Sequence, residues 1–242
     1  MYIALASASK DIRVQAALPA IASALEKQLY QHYAPFWQAD GMNVRVTDLS
    51  HPSLRDSSVA PLIVYDDPDE PNALGYHSIT EGRVYGKAFW SVIQKSGGSL
   101  STGANSLSCT LSHEALEMVG NPYVNFWCDI DDSTQEGIEM SDRVEGDSYV
   151  IDGVAVSDFL GPRAFREGPG PYDWMNLLKS PFELRPGGYA IRRKTGQGKV
   201  FNVWGVNYPE EKRLLKTGPD SRFAKRQAVL SSIPISQESS DQ

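Results

Sequence analysis

One helix constrains this chain more than any other segment. A Gly/Ser-rich stretch from Ser96 to Gly103 leads into it, Asn105 or Ser106 offers the side-chain oxygen that caps a first turn, and Gly120 with Pro122 supplies the stop. Inside those limits lies Ser112-His113-Glu114-Ala115-Leu116-Glu117. Residues four apart share a helix face, one turn above the other. His113 and Glu117 are therefore placed to hold one ion, with Glu114 projecting beside them.

The remaining pattern mixes strands and helices. Tyr2 to Ala6 reads as a strand, and Ala17 to Tyr33 carries Leu18, Ile21, Ala22, Leu25 and Leu29 at helical spacing, ending before Pro35. Pro19 is tolerated in a first turn, so the regular helix is expected to begin there. Asn43 to Thr47 alternates like a half-buried strand, Pro61 to Tyr65 is an apolar run suited to a central strand, and Arg83 to Trp90 reads as another. Between Asp66 and Ser78 the Asp, Pro, Asn and Gly residues predict a loop. Val150 to Phe165 and Tyr189 to Val206 read as further strands and turns, and Pro234 to Gln242 as a polar tail.

With 41% hydrophobic and 22% charged residues in 242, the chain can bury a core without covalent staples. A formal charge of −7 argues against a chain-wide footprint for nucleic acid. Met1 to Ser7 lacks the basic region of a signal peptide, and no apolar run approaches the ~20 residues that span a bilayer. The expectation is an intracellular protein that does not enter the membrane. Cys109 and Cys128 are the only cysteines, which excludes a four-cysteine zinc site, and Cys109 reads as a small buried residue.

Metal ligands must therefore come from His, Asp and Glu. The layout His113-Glu114-x-x-Glu117 is that of the H-E-x-x-H hydrolases, with a carboxylate as second ligand and the intervening Glu as the base that activates water. Zinc in such a site takes three protein ligands and a water, so a further donor is needed. From Asp129 to Asp147 there are eight acidic residues against one Arg, and Glu139, Asp142 and Glu145 recur every third position. Glu139 is favoured as the closing ligand, with Glu145 next. The segment fails the calcium-loop pattern, because Thr134 and not Gly stands at the tight-turn position counted from Asp129. One zinc ion is expected, with manganese or calcium as alternatives for an oxygen-rich set. His77 closes the triplet Gly75-Tyr76-His77 and is placed to approach from the cleft rim, and Tyr76, His77 or Tyr149 is a candidate to stabilise an oxyanion.

Gly75-Tyr76-His77, Leu111 to Met118, Val144 to Tyr149 and Val156 to Phe159 together resemble a bacterial and phage-associated family of zincin-like metallopeptidases. The resemblance runs from about Gln28 to Phe165. It implies an α+β, zincin-like fold, with a twisted mixed sheet whose edge strand lies over the cleft and an active-site helix packed against it. It also implies His113 and Glu117 as ligands, Glu114 as general base, and one of Glu139, Asp142 and Glu145 closing the site. Two positions depart from the pattern: Glu117 stands where better-known zincins carry a second His, and Asn121-Pro122 stands for the family's Asp-Pro.

The organisation expected is a catalytic domain over 1–166, a β-rich basic extension over 167–231 and a tail over 232–242. The corresponding function is hydrolysis of a peptide or protein substrate, in the cytoplasm or on a virion. A rival reading is a non-catalytic module in a protein complex or viral assembly, contacting a partner through Arg185 to Arg226, where eleven basic residues face three acidic ones. Those charges also suit a simpler role, balancing the acidic segment within the molecule.

Overall fold

The computed structural model describes residues 2–70, 73–195 and 200–208. Strand β1 (Tyr2–Ser7) leads into helix α1 (Ile12–Lys27), whose first turn is capped by the Asp11 side chain accepting the Arg13 N–H. The helix thus begins before Ala17, and Pro19 lies inside it. Pro19 and Gln15 are both exposed, so the carbonyl left without a helical donor four residues before the proline faces solvent. Nor does Pro35 end the rod, which continues through a π-helical segment, Gln28–Tyr33, into helix α2 (Ala34–Trp37). Ala34 N–H reaches five residues back to the Leu29 carbonyl, and this wider turn makes room for the proline ring.

Next come strand β2 (Val44–Val46), a 3-10 turn at Pro52–Arg55, strands β3 (Val59–Tyr65), β4 (Gly75–Thr80) and β5 (Arg83–Phe89), and helices α3 (Trp90–Lys95) and α4 (Leu107–Gly120). The five strands form one mixed sheet in the order β2-β1-β3-β5-β4. Pairings among β1, β2, β3 and β5 are parallel, and β4 runs antiparallel to β5. Two sequence expectations change here. Residues 75–80 are a strand and not the end of a loop, and this strand, not the 83–90 segment expected to be the edge, forms one edge of the sheet. Glu81 and Gly82 close the β4–β5 hairpin with φ of 50° and 77°, the left-handed pair of a two-residue turn.

Helices α1 and α4 pack on this sheet and against each other. Leu18, Ile21 and Leu25 of α1 and Leu107, Leu111 and Leu116 of α4 are fully buried with Ile3, Leu5 and Leu62 of the strands. Each such side chain contributes about 1.5–3 kcal/mol on leaving water, which anchors α4 by its apolar positions.

Beyond α4, strands β6 (Trp127–Asp131) and β7 (Thr134–Gly137) form a hairpin, a 3-10 turn covers Asp142–Val144, and β8 (Ser148–Ile151) pairs with β9 (Val154–Ser157). After another 3-10 turn at Pro162–Phe165, β10 (Tyr189–Lys194) and β11 (Val200–Trp204) join the first hairpin in a second, antiparallel sheet, β11-β10-β7-β6. Because β7 precedes residue 166 and β10 follows it, the basic extension completes a sheet begun upstream. Its described charges meet the acidic segment: Arg185 Nε reaches Asp147 at 2.8 Å and Arg192 Nε reaches the buried Glu136 at 2.9 Å. The basic positions after residue 208 and the expected 232–242 tail lie outside the described residues. The fold is mixed α+β, and no described helix is long and apolar enough to cross a membrane.

Candidate metal centre

Helix α4 starts where its cap dictates: Ser106 Oγ accepts the Cys109 N–H, as a short hydroxyl side chain does at an N-cap. Buried serines fix its rotation. Ser108 Oγ donates to the Ala155 carbonyl at 2.6 Å, and Ser112 Oγ donates to Gln28 Oε1 at 2.6 Å while accepting the Ser157 N–H at 2.9 Å. Gln28, fully buried in the π segment, also donates to the Ser157 carbonyl. One amide thus ties α1's continuation, α4 and β9 together next to His113.

Glycines set the approach of the β4–β5 hairpin. A side-chain carbon at Gly75 would lie 2.7 Å from Thr110 Cγ2 and 3.1 Å from Glu114 Oε1, and one at Gly86 would lie 2.8 Å from Met118 Sδ. Only glycine admits so close a contact without movement. Gly75 and His77 share a face of β4 and are separated by about 6.6 Å along the strand, close to the rise of one helical turn. Gly75 accordingly sits against Thr110 and Glu114, and His77 against Glu114 and Glu117.

The other wall is the segment that follows β7. Asn121 Nδ2 donates to the Ile138 carbonyl at 2.8 Å, while its Oδ1 accepts the N–H groups of Asn125 and Phe126. Gly120 leaves space for the buried Met140, and buried Arg143 donates to the Ala164 carbonyl. These contacts hold Asp142 over α4.

Two sets of ligand-type atoms result, and both can hold a metal ion: His77, Glu114 and Glu117, and His113, Glu117 and Asp142. His77 Nδ1 lies 3.0 Å from Glu117 Oε2 and 3.6 Å from Glu114 Oε2. His113 Nε2 lies 3.0 Å from Glu117 Oε1 and 3.2 Å from Asp142 Oδ1. Glu114, Glu117, Glu139 and Asp142 are all buried.

Four buried carboxyl groups thus face two imidazoles, a donor set with more acidic oxygens than cations of its own. Taking such charges out of water is expensive unless a cation or a hydrogen-bonded partner compensates. The imidazoles register that excess. Burial opposes charge on His77, yet the contacts with Glu114 and Glu117 and the charge of Glu139 raise its pKa to about 9. For His113, too, burial acts against the charged form, but Glu117, Asp142 and Glu114 carry its pKa well above the ordinary value. Nitrogen and carboxylate donors at a buried point are the chemistry that zinc or manganese accepts.

A cleft of about 60 Å³ fronts the cluster, room for a few waters, lined by Leu74 and Gly75 at the head of β4, by Cys109, Thr110, His113 and Glu114 of α4, and by Glu145, Asp147 and Ser157. His113 and Glu114 reach this cleft; His77 is sealed behind them. Burial holds the Cys109 thiol above its usual pKa, in keeping with a packed residue.

The candidate residues therefore separate by place. His113, Glu114, Glu117, His77 and Asp142 come together. Glu139 is buried and acts on His77 through its charge, and Glu145 stands at the cleft wall. Tyr149 is turned elsewhere, its hydroxyl 2.8 Å from His32 Nδ1 and accepting from Gln28 Nε2 at 3.2 Å. Tyr76 donates to Asp69 Oδ2 at 2.9 Å. Gln28 and Ser112 were not singled out by sequence reasoning; a glutamine at helical spacing on an apolar stripe is the one signal that marked either. Comparisons with family profiles, with curated proteins and with solved structures return no match.

Proposed function

We propose that the protein is a metal-dependent peptide hydrolase of the zincin type. The observation that carries this reading is that His113, Glu117 and Asp142 converge behind a cleft whose wall His113 and Glu114 both line. Three protein donors leave a coordination position open, as a hydrolytic zinc site requires and a structural one does not. A bound zinc ion would supply Lewis-acid polarisation of the scissile carbonyl and a water of lowered pKa.

The chain's own groups do the rest. Glu114 takes the proton of the attacking water and passes it to the leaving amine. His77 Nδ1 lies 3.6 Å behind Glu114 Oε2, while Glu114 Oε1 lies on the Gly75 side, toward the cleft. Leu74 and Gly75 border the cleft at the head of the edge strand, which gives an extended peptide a strand to run beside. Gly75 has no side chain to obstruct it.

The test is cleavage of a fluorogenic peptide library by zinc-loaded wild type and by Glu114→Gln. The expected result is hydrolysis by the wild type that falls by about 10²–10⁴-fold in the variant while the metal stays bound. Full activity in Glu114→Gln contradicts the mechanism. A folded, metal-loaded wild type that cleaves nothing in the library favours the interaction-module reading.

A further inference from the structure

We infer that the centre is dinuclear, with Glu117 bridging two divalent cations where sequence reasoning expects one. The inference rests on the metal-centre reading above only in that both place a cation at His113. It goes beyond that reading in assigning a second ion to His77.

The basis is the division of labour between the two oxygens of Glu117. Oε1 lies 3.0 Å from His113 Nε2, and Oε2 lies 3.0 Å from His77 Nδ1. Each histidine has its own carboxylate as well: Asp142 Oδ1 stands 3.2 Å from His113, and Glu114 Oε2 stands 3.6 Å from His77. The cluster is thus two nitrogen-and-oxygen triads sharing one carboxylate, not one crowded triad. A carboxylate that turns one oxygen to each of two ions is the bridge found where paired metals sit about 3.5–4 Å apart.

Burial argues the same way. His77 sits at 0% exposure on an edge strand with Nδ1 turned to Glu117 and Glu114, and Gly75 on the same strand face is what lets β4 come close enough to insert it. The roles of Glu114 remain compatible, because Oε2 faces His77 while Oε1 faces Gly75 and the cleft.

The experiment is metal counting on the full chain, stripped with chelator, reloaded with Mn(II) or Zn(II) and freed of unbound ion. Two ions per chain are expected in the wild type, one in His77→Ala, one in Asp142→Asn and fewer than one in Glu117→Ala. In the Mn(II)-loaded wild type, electron paramagnetic resonance is expected to show exchange coupling between the ions, lost in His77→Ala. A single ion in the wild type, unchanged in His77→Ala, overturns the second site and leaves the hydrolase reading intact. No ion in a folded wild type overturns both. Should His77→Ala fail to fold, the wild-type count and its Mn(II) spectrum decide the matter by themselves.

Discussion

His113 Nε2 stands 3.2 Å from Asp142 Oδ1, and the contact joins α4 to a turn that the chain reaches only after the β6–β7 hairpin. Asp142 is therefore the carboxylate of the acidic segment that lies against His113, and we propose it as the closing donor there. Asp142→Asn is expected to weaken zinc binding at the His113 position by at least about 100-fold, beyond what loss of an outer-shell partner produces. Glu139→Gln should weaken it by less. Competition against a chromophoric chelator measures both, and equal effects would remove the distinction.

Gln28 is the tie between three elements, since its amide serves Ser112, Ser157 and Tyr149 at once. Gln28→Leu leaves the Ser112 hydroxyl and the Ser157 carbonyl without these bonds, and each buried loss costs about 1–3 kcal/mol. Urea denaturation should show a clear fall in midpoint, accompanied by weaker metal binding as α4 loses its rotational lock. A variant as stable as wild type would show that the amide is dispensable.

Gly75 is expected to tolerate no side chain. Gly75→Ala places a carbon against Thr110, the Lys87 carbonyl and Glu114, and overpacking of that kind costs about 1–3 kcal/mol. Gly82→Ala, where nothing lies nearby, is a control for backbone strain alone, because its φ is 77°. Thermal melts of the two should differ in one further respect, with only Gly75→Ala also lowering metal affinity.

One residue beyond the cleft residue Ser157, buried Asp158 faces buried Asp173. Burial, then the hydrogen bond and charge of Asp173, raise the Asp158 pKa to about 8. A carboxyl raised above its unfolded value stabilises the fold in its protonated form, fully below the unfolded pKa, and that contribution is lost as pH climbs through about 8. Stability should therefore fall on going from pH 6 to pH 9, and Asp158→Asn, whose amide retains an acceptor for the Phe159 and Met175 N–H groups, should flatten the fall. Unfolding curves at the two pH values provide the check, and an identical slope in the variant would count against the pair.

What was legible in the sequence was local. The cap at Ser106, the stop at Gly120 and the shared helix face of His113 and Glu117 depend on residues within a few positions of one another, and these are what a sequence encodes most directly. Strand β4 was not legible because it does not alternate. Tyr76 and His77 are both buried, one toward Asp69 and the other against Glu114 and Glu117, so polarity along Gly75–Thr80 reports these polar contacts and not a pleat. The start of α1 was obscured by Pro19, whose exposed side of the helix tolerates the missing donor. Choosing among Glu139, Asp142 and Glu145 was beyond reach for another reason. Their order over α4 is set by Asn121 gripping the Ile138 carbonyl and by Arg143 anchored at Ala164, long-range bonds that spacing does not express. The pairing of Arg192 with Glu136 across residue 166 belongs to the same class.

The most direct measurement is anomalous diffraction at the zinc edge from crystals of the zinc-loaded protein. The expected result is a strong peak within bonding distance of His113 Nε2, Glu117 and Asp142. An ordered structure with these side chains placed as here and no anomalous density among them would contradict the proposed metal centre, and with it the proposed hydrolytic function.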